Sequence, residues 1–506
     1  MPLQSGRPLF HGARWSTLWI LFNQVTKVIR GLIVPKLLDP SAYGLWSSLS
    51  VLLGCARYAD LGVNEQLAKR LPYRLGKEGE AGYRELAKQG TGWGIITSGV
   101  VAVALLVWSF LYSGPHPEFY RVALRLIALA AIAQKLRFMG STLLGSRFMF
   151  RQSAIGGMLV DGVGLVLAIG FLIRWGVLGL VWAFLATEFV VAIYYFAQIG
   201  FPVPTFVPSK TLPMVKEGFL LLTVVLSEQA LMTVDQLFLI SFFPKEQYGI
   251  YALGLFLTTA LLSASGIFLT VTQPKVMHLA GEGELDEARR VVQTSLTLYL
   301  VILAAAIGVS VLGTDLMVSY YLTKYQAGLH VFVLMPLLAL VRGPVILLRP
   351  LFLARNQERR LVAIEAFGLA LAVALDALVI TFYPSLILVA FASILGYGVV
   401  TLGMAWYMNS FSGTSERGGN RFIVAITAAS VVGATGLFIF YGARDPAGNS
   451  VLQHLTESAL ACAVYTIWVG LFVWAGRRHW QEAWSLFRHG SGPAIAVSPV
   501  AEPVSI

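Results

Sequence analysis

The sequence predicts an all-α integral membrane protein of about fourteen transmembrane helices. Two six-helix lobes related by a pseudo-two-fold axis are followed by two extra helices. Three observations carry this prediction. The chain is 57% hydrophobic and only 12% charged, against roughly 25% charged residues in soluble domains, so it has too little polar surface to cover a core of its size. Its apolar residues gather in runs of about 20 separated by short polar breaks, the length that a ~30 Å hydrocarbon layer demands. The sequence also repeats itself at an offset of about 205 residues.

The first span, near 15–38, contains WILFNQVTKVIRGLIVPKLL from Trp19. Asn23, Lys27 and Arg30 interrupt it at spacings of four and three, which stacks them on one helix face. The same polar residues, with Gln24, deny this segment a signal-peptide layout, so it is expected to be retained. The second span, near 43–68, has its own stripe of Arg57, Asp60 and Asn64. Further spans lie near 90–112, 120–142, 154–173 and 176–199, completing an N-lobe over 1–205. The C-lobe, 206–410, holds spans near 217–242, 248–272, 292–313, 328–353, 361–382 and 386–408. The extra pair, near 422–442 and 455–475, occupies 411–476. A cytoplasmic tail covers 477–506 and is expected to be disordered after about Gly490.

The repeat is read from two matches. RGLIVPKLLDPSAYGLW from Arg30 aligns without a gap to DQLFLISFFPKEQYGIY from Asp235, bringing Tyr43-Gly44 onto Tyr248-Gly249. One span later, Glu78-Gly79-Glu80 corresponds to Glu282-Gly283-Glu284. Six spans per unit is an even number, so both copies keep one orientation and the axis relating them runs along the membrane normal.

The net charge of +11 follows topology rather than nucleic acid. Most Lys and Arg fall beside segments on one side, chiefly KRLPYRLGKEGEAGYRELAK (Lys69 to Lys88), with smaller clusters around Arg147, Arg289, Arg355 and Arg477. Few lie opposite (Lys36, Arg121, Arg174, Lys245, Lys324, Arg444). By the positive-inside rule both termini are expected to be cytoplasmic. Cys55 and Cys462 read as small buried hydrophobes rather than a disulfide. The histidines have no metal-ligand spacing, and no metal or cofactor is expected. The outer loops are short, which argues against an enzyme working at that face.

Lys27, Arg30, Arg57, Arg125 and Arg342 lie within spans. Each such charge costs roughly 2.5–3.5 kcal/mol at mid-bilayer if lipid-exposed, so these side chains are expected to face a cavity or pair with acids. For Arg57 an intrahelical pair with Asp60 stands beside a ligand role, and Arg349 lies near enough to the cytoplasm to snorkel. Asp161 and Glu188 read as polar packing groups between helices. Lys27 and Arg30 have no acid on their own helix, which points to a lumen that binds an anion. Pro35 in the first span, and Pro336, Pro344 and Pro350 in the tenth, add the bends common beside polar cavities in transporters.

PKLLDPSAYGLWSSLSVLLGCARYADLGVNEQLAKRLP resembles the second-span region of polysaccharide flippases of the Wzx type, where Tyr-Gly leads to a DLG motif, here Asp60-Leu61-Gly62. VDQLFLISFFPKEQYGIYALG resembles their seventh span, and the likeness in plan covers nearly the whole chain. It implies membership of the multidrug/oligosaccharidyl-lipid/polysaccharide superfamily. It also implies flipping of undecaprenyl-pyrophosphate-linked oligosaccharide from the cytoplasmic to the periplasmic leaflet, for O-antigen, capsule or exopolysaccharide synthesis. Related lipid II flippases place pyrophosphate-binding cations on their first two helices, where Lys27, Arg30 and Arg57 stand. Their further cation on the eighth helix has no counterpart here, and Arg342 is the substitute.

The expected site is therefore Lys27, Arg30, Arg57, Arg342 and Asn23 for the pyrophosphate. Asp235, Glu228 and Asp60 serve ion coupling or gating, with H+ or Na+ as coupling ion in an alternating-access cycle. Arg30 and Asp235 are equivalent in the repeat, so they are expected at one depth, facing each other as a gate or as a static pair. The expected partners are the lipid-linked oligosaccharide, membrane lipids, and the polymerase and chain-length proteins of such pathways. Two other readings stay open: a multidrug or cation antiporter of the same superfamily, and a membrane polymerase or glycosyltransferase.

Overall fold

Polar punctuation decides where the helices begin, bend and stop. The computed structural model describes residues 7–114, 117–410, 417–443, 451–477 and 481, and the described residues form helices and no strand. The helices are α1 (Arg7–Leu37), α2 (Pro40–Ala56), α3 (Val63–Leu111), α4 (Pro117–Ser146), α5 (Phe150–Ile199), α6 (Pro208–Phe242) and α7 (Lys245–Gly281). They continue as α8 (Leu285–Leu316), α9 (Leu329–Ala354), α10 (Glu358–Phe382), α11 (Leu386–Ser410), α12 (Arg417–Ala443) and α13 (Val451–Ala475). Left-handed backbone at Gly79 and Gly176 breaks α3 and α5 into two rods each, so these thirteen helices make fifteen rods, of which α2 and the first rod of α3 share the expected second span. Among the described residues, nine helices are long and apolar enough to cross a membrane. The expected disorder after Gly490 falls outside the described residues.

One local expectation is corrected. The second span is not one helix: α2 starts on Asp39, whose carboxylate accepts the Ala42 N–H at 2.7 Å, and stops at Ala56. Leu61 (φ 56°) and Gly62 (φ 82°) then turn the chain before α3, and Asp60 accepts the Asn64 N–H at 3.0 Å to hold that start. A β-carbon on Gly62 would stand 2.2 Å from the Gly218 carbonyl oxygen, so the DLG motif is a chain reversal packed against α6. The basic segment from Lys69 to Lys88, which lies between two expected spans, is helical apart from the Gly79 break. Its apolar residues explain this, because Val63, Leu67 and Leu71 recur every fourth position and are fully buried with Tyr83 and Leu86 in one cluster.

The described chain divides into two compact units, one of Met1–Phe256, Val318–Gly328 and Glu365–Ser393, the other of Leu257–Met317, Leu329–Ile364 and Ile394–Ile506. Their division does not follow the repeat boundary near residue 205, since α6 and the start of α7 belong with the first unit. Inside that unit the two Tyr-Gly pairs meet. A β-carbon on Gly44 would lie 2.0 Å from the Lys245 carbonyl oxygen, and one on Gly249 would lie 1.7 Å from that of Pro40. Pro40 and Lys245 occupy equivalent places in the repeat, so the contact is reciprocal, as a two-fold axis requires. Only glycine lets the backbones of α2 and α7 come this close.

In the second unit α12 and α13 dock on α8. The buried Asp315 accepts hydrogen bonds from Ser458 (2.5 Å) and Tyr441 (3.4 Å), and Tyr465 donates to the Ala304 carbonyl at 3.0 Å. Proline-bearing α9 stays helical throughout. Hydroxyls support it from its neighbours: Thr258 donates to the Met335 carbonyl, Tyr299 to Ala339 and Thr401 to Val341.

Candidate functional site

The polar stripe of α1 falls on three different surroundings. Asn23 donates to Asp161 of α5 at 2.7 Å, and Trp19 donates to the other oxygen of that carboxylate at 3.0 Å. Asp161 is thus a packing group between α1 and α5, and Asn23 is committed to it. One turn on, Lys27 is exposed. Arg30, half-buried, lies over the Trp46 ring of α2 at 5.8 Å, with Tyr43 and Asp161 within electrostatic range. Arg57, just past the end of α2, is exposed and packs its guanidinium on the Phe138 ring at 4.2 Å. Among the described residues, Lys27, Arg30 and Arg57 have no ion-pair partner.

The acids expected to answer these cations have found others. Asp60 is buried and pairs with Lys135 of α4, not with Arg57. The two share a polar layer in which Trp93 donates to the Asp60 carbonyl at 2.9 Å and Thr142 donates to Asn64 at 2.9 Å. Glu188 pairs with Arg137, two residues along α4 from Lys135. Sequence reading missed Lys135 and Arg137, although both stand inside the apolar span near 120–142 and carried the same warning as Lys27.

Asp235 also departs from its expected place. It is 3% exposed, accepts from Tyr251 at 2.5 Å and Ser393 at 3.1 Å, and takes its own chain's Gln236 N–H at 2.7 Å. The expected Arg30–Asp235 encounter is not made in this conformation. Asp376 of α10 is fully buried, and neither carboxylate oxygen has a hydrogen-bond partner among the described residues. It lies within electrostatic range of Asp235 and Tyr251. Ser227 donates to the equally buried Glu365. Glu228 is half-buried within range of Tyr58, whose hydroxyl reaches Gln229 at 3.3 Å. Among the described residues, the first unit thus holds cations without ion-pair partners at α1 and the end of α2, and a buried acid cluster on α6 and α10. Tyr251 and Ser393 complete that cluster and had no signal in the sequence beyond lying in apolar spans.

Arg342, on α9 of the second unit, lies 5.7 Å from the Tyr397 ring, and its buried Nε has no hydrogen-bond partner among the described residues. Its neighbours leave it aromatic rather than acidic company.

Residues 33–326, more than half of the chain, match the family described as polysaccharide biosynthesis protein. The chain belongs to that family. No curated protein matches it. Among solved structures, the lipid II flippase MurJ in an inward closed conformation superposes with TM-score 0.68 at 11% identity, over 90% of this chain and 98% of that one. An inward-facing multidrug resistance MATE family transporter of the MOP superfamily gives TM-score 0.59 at 14% identity, over 78% and 96%. A MOP superfamily transporter from Pyrococcus furiosus gives 0.52 at 15% identity, over 83% and 94%. The polysaccharide biosynthesis protein therefore has the fold of MOP superfamily transporters and flippases, and is a multi-pass membrane protein.

Proposed function

We propose that this protein flips an undecaprenyl-pyrophosphate-linked oligosaccharide from the cytoplasmic to the periplasmic leaflet of the inner membrane, with both its termini cytoplasmic. The observation that carries the reading is the trio Lys27, Arg30 and Arg57, none of which makes an ion pair among the described residues, with Asp161 and Glu65 no nearer than electrostatic range of Arg30 and Arg57. Evolving a charged group inside a membrane span without a counter-ion costs stability, and an anionic substrate that visits supplies the missing charge. Arginine adds bidentate geometry for phosphate oxygens. The polyprenyl tail can remain in lipid while the head group crosses in water.

Asp235 and Asp376 are the proposed carriers of the coupling ion, a proton or sodium. Two buried carboxylates within range of each other hold a proton or a cation more readily than two full charges. This same cluster is what favours the second reading, a cation antiporter. The test is a set of neutral substitutions at Lys27, Arg30 and Arg57 in a producing cell. Flipping of an anion predicts normal protein levels with lipid-linked sugar stranded on the cytoplasmic leaflet. Full export together with loss of resistance to cationic drugs would support the antiporter instead.

A further inference from the structure

Two cavities among the described residues lie away from the α1 cations, one in each unit. The first, about 290 Å³, is lined by Arg84, Lys88 and Arg147 with Tyr83, and by the segment after α5 that begins at Gly200. The second, about 490 Å³, is lined by Arg355, Arg360 and Tyr407 beside Asn356 and Gln357. Both grow from the same piece of backbone. Phe148 and Asn356 are left-handed at φ 59° and 54°. Each donates its N–H three residues back, to Gly145 at 3.0 Å and Leu353 at 3.1 Å. Each is followed by a residue that donates five back, Met149 to Leu144 at 3.1 Å and Gln357 to Phe352 at 2.9 Å. An arginine, Arg147 or Arg355, immediately precedes the left-handed residue in both. The repeat has built one basic loop twice.

The first cavity carries more positive charge than its surroundings neutralise. Glu80 answers Arg84 at 3.0 Å and also Arg147. The half-buried Lys88 ammonium has no partner among the described residues, and the buried Nε of Arg147 has none either. Arg147 is held in place over the Tyr83 ring at 4.5 Å. The far wall is apolar and open: Phe201 and Val203 are 49% and 64% exposed. That wall is fixed to α3, because the Thr205 N–H donates to the Lys88 carbonyl at 3.1 Å.

We infer that this cavity is a binding site for the phosphodiester of an anionic phospholipid, and that the second cavity is its repeat-related counterpart. A soluble phosphate would satisfy the cations but leave the apolar wall in water. A phospholipid satisfies both, with phosphate on Lys88 and Arg147 and its glycerol and first methylenes on Phe201 and Val203. Basic pockets at the cytoplasmic level of membrane helices recognise anionic head groups in this way. The inference needs only that the basic face meets a membrane surface. Variants of α1 leave this pocket intact, so failure of the flipping proposal and failure of this one show up in different proteins.

The test uses the purified full chain and counts lipids retained in native mass spectrometry, with dioctanoyl-phosphatidylglycerol, dioctanoyl-phosphatidylcholine, a polyprenyl phosphate and inorganic phosphate as probes. Phosphatidylglycerol should bind in preference to phosphatidylcholine, and Lys88→Gln should weaken it about tenfold, the scale of one charge-assisted hydrogen bond. Lys88→Arg should restore binding, and Lys77→Gln, an exposed charge outside the cavity, should leave it unchanged. Arg355→Gln should remove a second, independent lipid. Unchanged retention in Lys88→Gln overturns the site. So does equal binding of phosphatidylcholine, displacement by inorganic phosphate, or a polyprenyl phosphate that takes the pocket ahead of phosphatidylglycerol.

Discussion

Gly44 and Gly249, equivalent residues of the repeat, stand backbone to backbone, each blocked from carrying a side chain by a carbonyl of the other's helix. A chance similarity of sequence would not place the two copies in reciprocal contact. The repeat is therefore a property of the fold, and the Tyr-Gly pairs mark where its axis passes. Overpacking such a contact costs about 1–3 kcal/mol. Gly44→Val and Gly249→Val should each lower the unfolding temperature of the purified protein and reduce export. Gly266→Ala, in the same α7 with nothing within 4 Å of the added carbon, should be neutral or slightly stabilising. Equal effects at all three positions would remove the axis from the explanation.

The Lys135–Asp60 pair makes a second prediction. Both side chains are nearly fully buried, at 6% and 3% exposure, and removing one partner of such a pair costs about 3–5 kcal/mol. Lys135→Met should destabilise by that order. Adding Asp60→Asn, which keeps an acceptor for the Asn64 N–H, should recover most of the loss in a double-mutant cycle. Additive losses would mean the pair carries no mutual energy.

The architecture was legible because lipid leaves the sequence few choices. Spans must be apolar and about 20 residues long, and the fourteen expected positions all received helices, the second in two pieces. The break after Ala56 was not legible, because Arg57, Asp60 and Asn64 keep helical spacing straight through a turn. Spacing reports which residues share a face only once the helix exists. Lys27, Arg30 and Arg57 were readable as cations inside apolar stretches, and so, by the same rule, were Lys135 and Arg137. What the sequence could not say is which cations are answered. Asp60 is three residues from Arg57 and yet belongs to Lys135, a choice made by the packing of α3 on α4.

Coupling gives a further prediction. Asp235→Asn and Asp376→Asn should each abolish the dependence of transport on an ion gradient. Binding of the lipid pyrophosphate to purified protein should be retained. Transport that still follows the gradient in both variants would exclude this cluster as the coupling site.

Orientation can be checked chemically. With Cys55 and Cys462 replaced, cysteines at Lys77 and Ser385 should label from opposite sides, Lys77 from the cytoplasm and Ser385 from the periplasm. Labelling of both from one side would overturn the charge-based topology.

The most direct measurement of the central claim is leaflet transfer in proteoliposomes. A polyprenyl-pyrophosphate oligosaccharide placed in one leaflet is followed by a membrane-impermeant reagent that modifies its sugar. The native protein should move it, and the triple variant Lys27→Gln/Arg30→Gln/Arg57→Gln, reconstituted at equal amount and with an unchanged unfolding temperature, should be slower by about tenfold or more. A triple variant that transfers the lipid at the native rate would contradict the account.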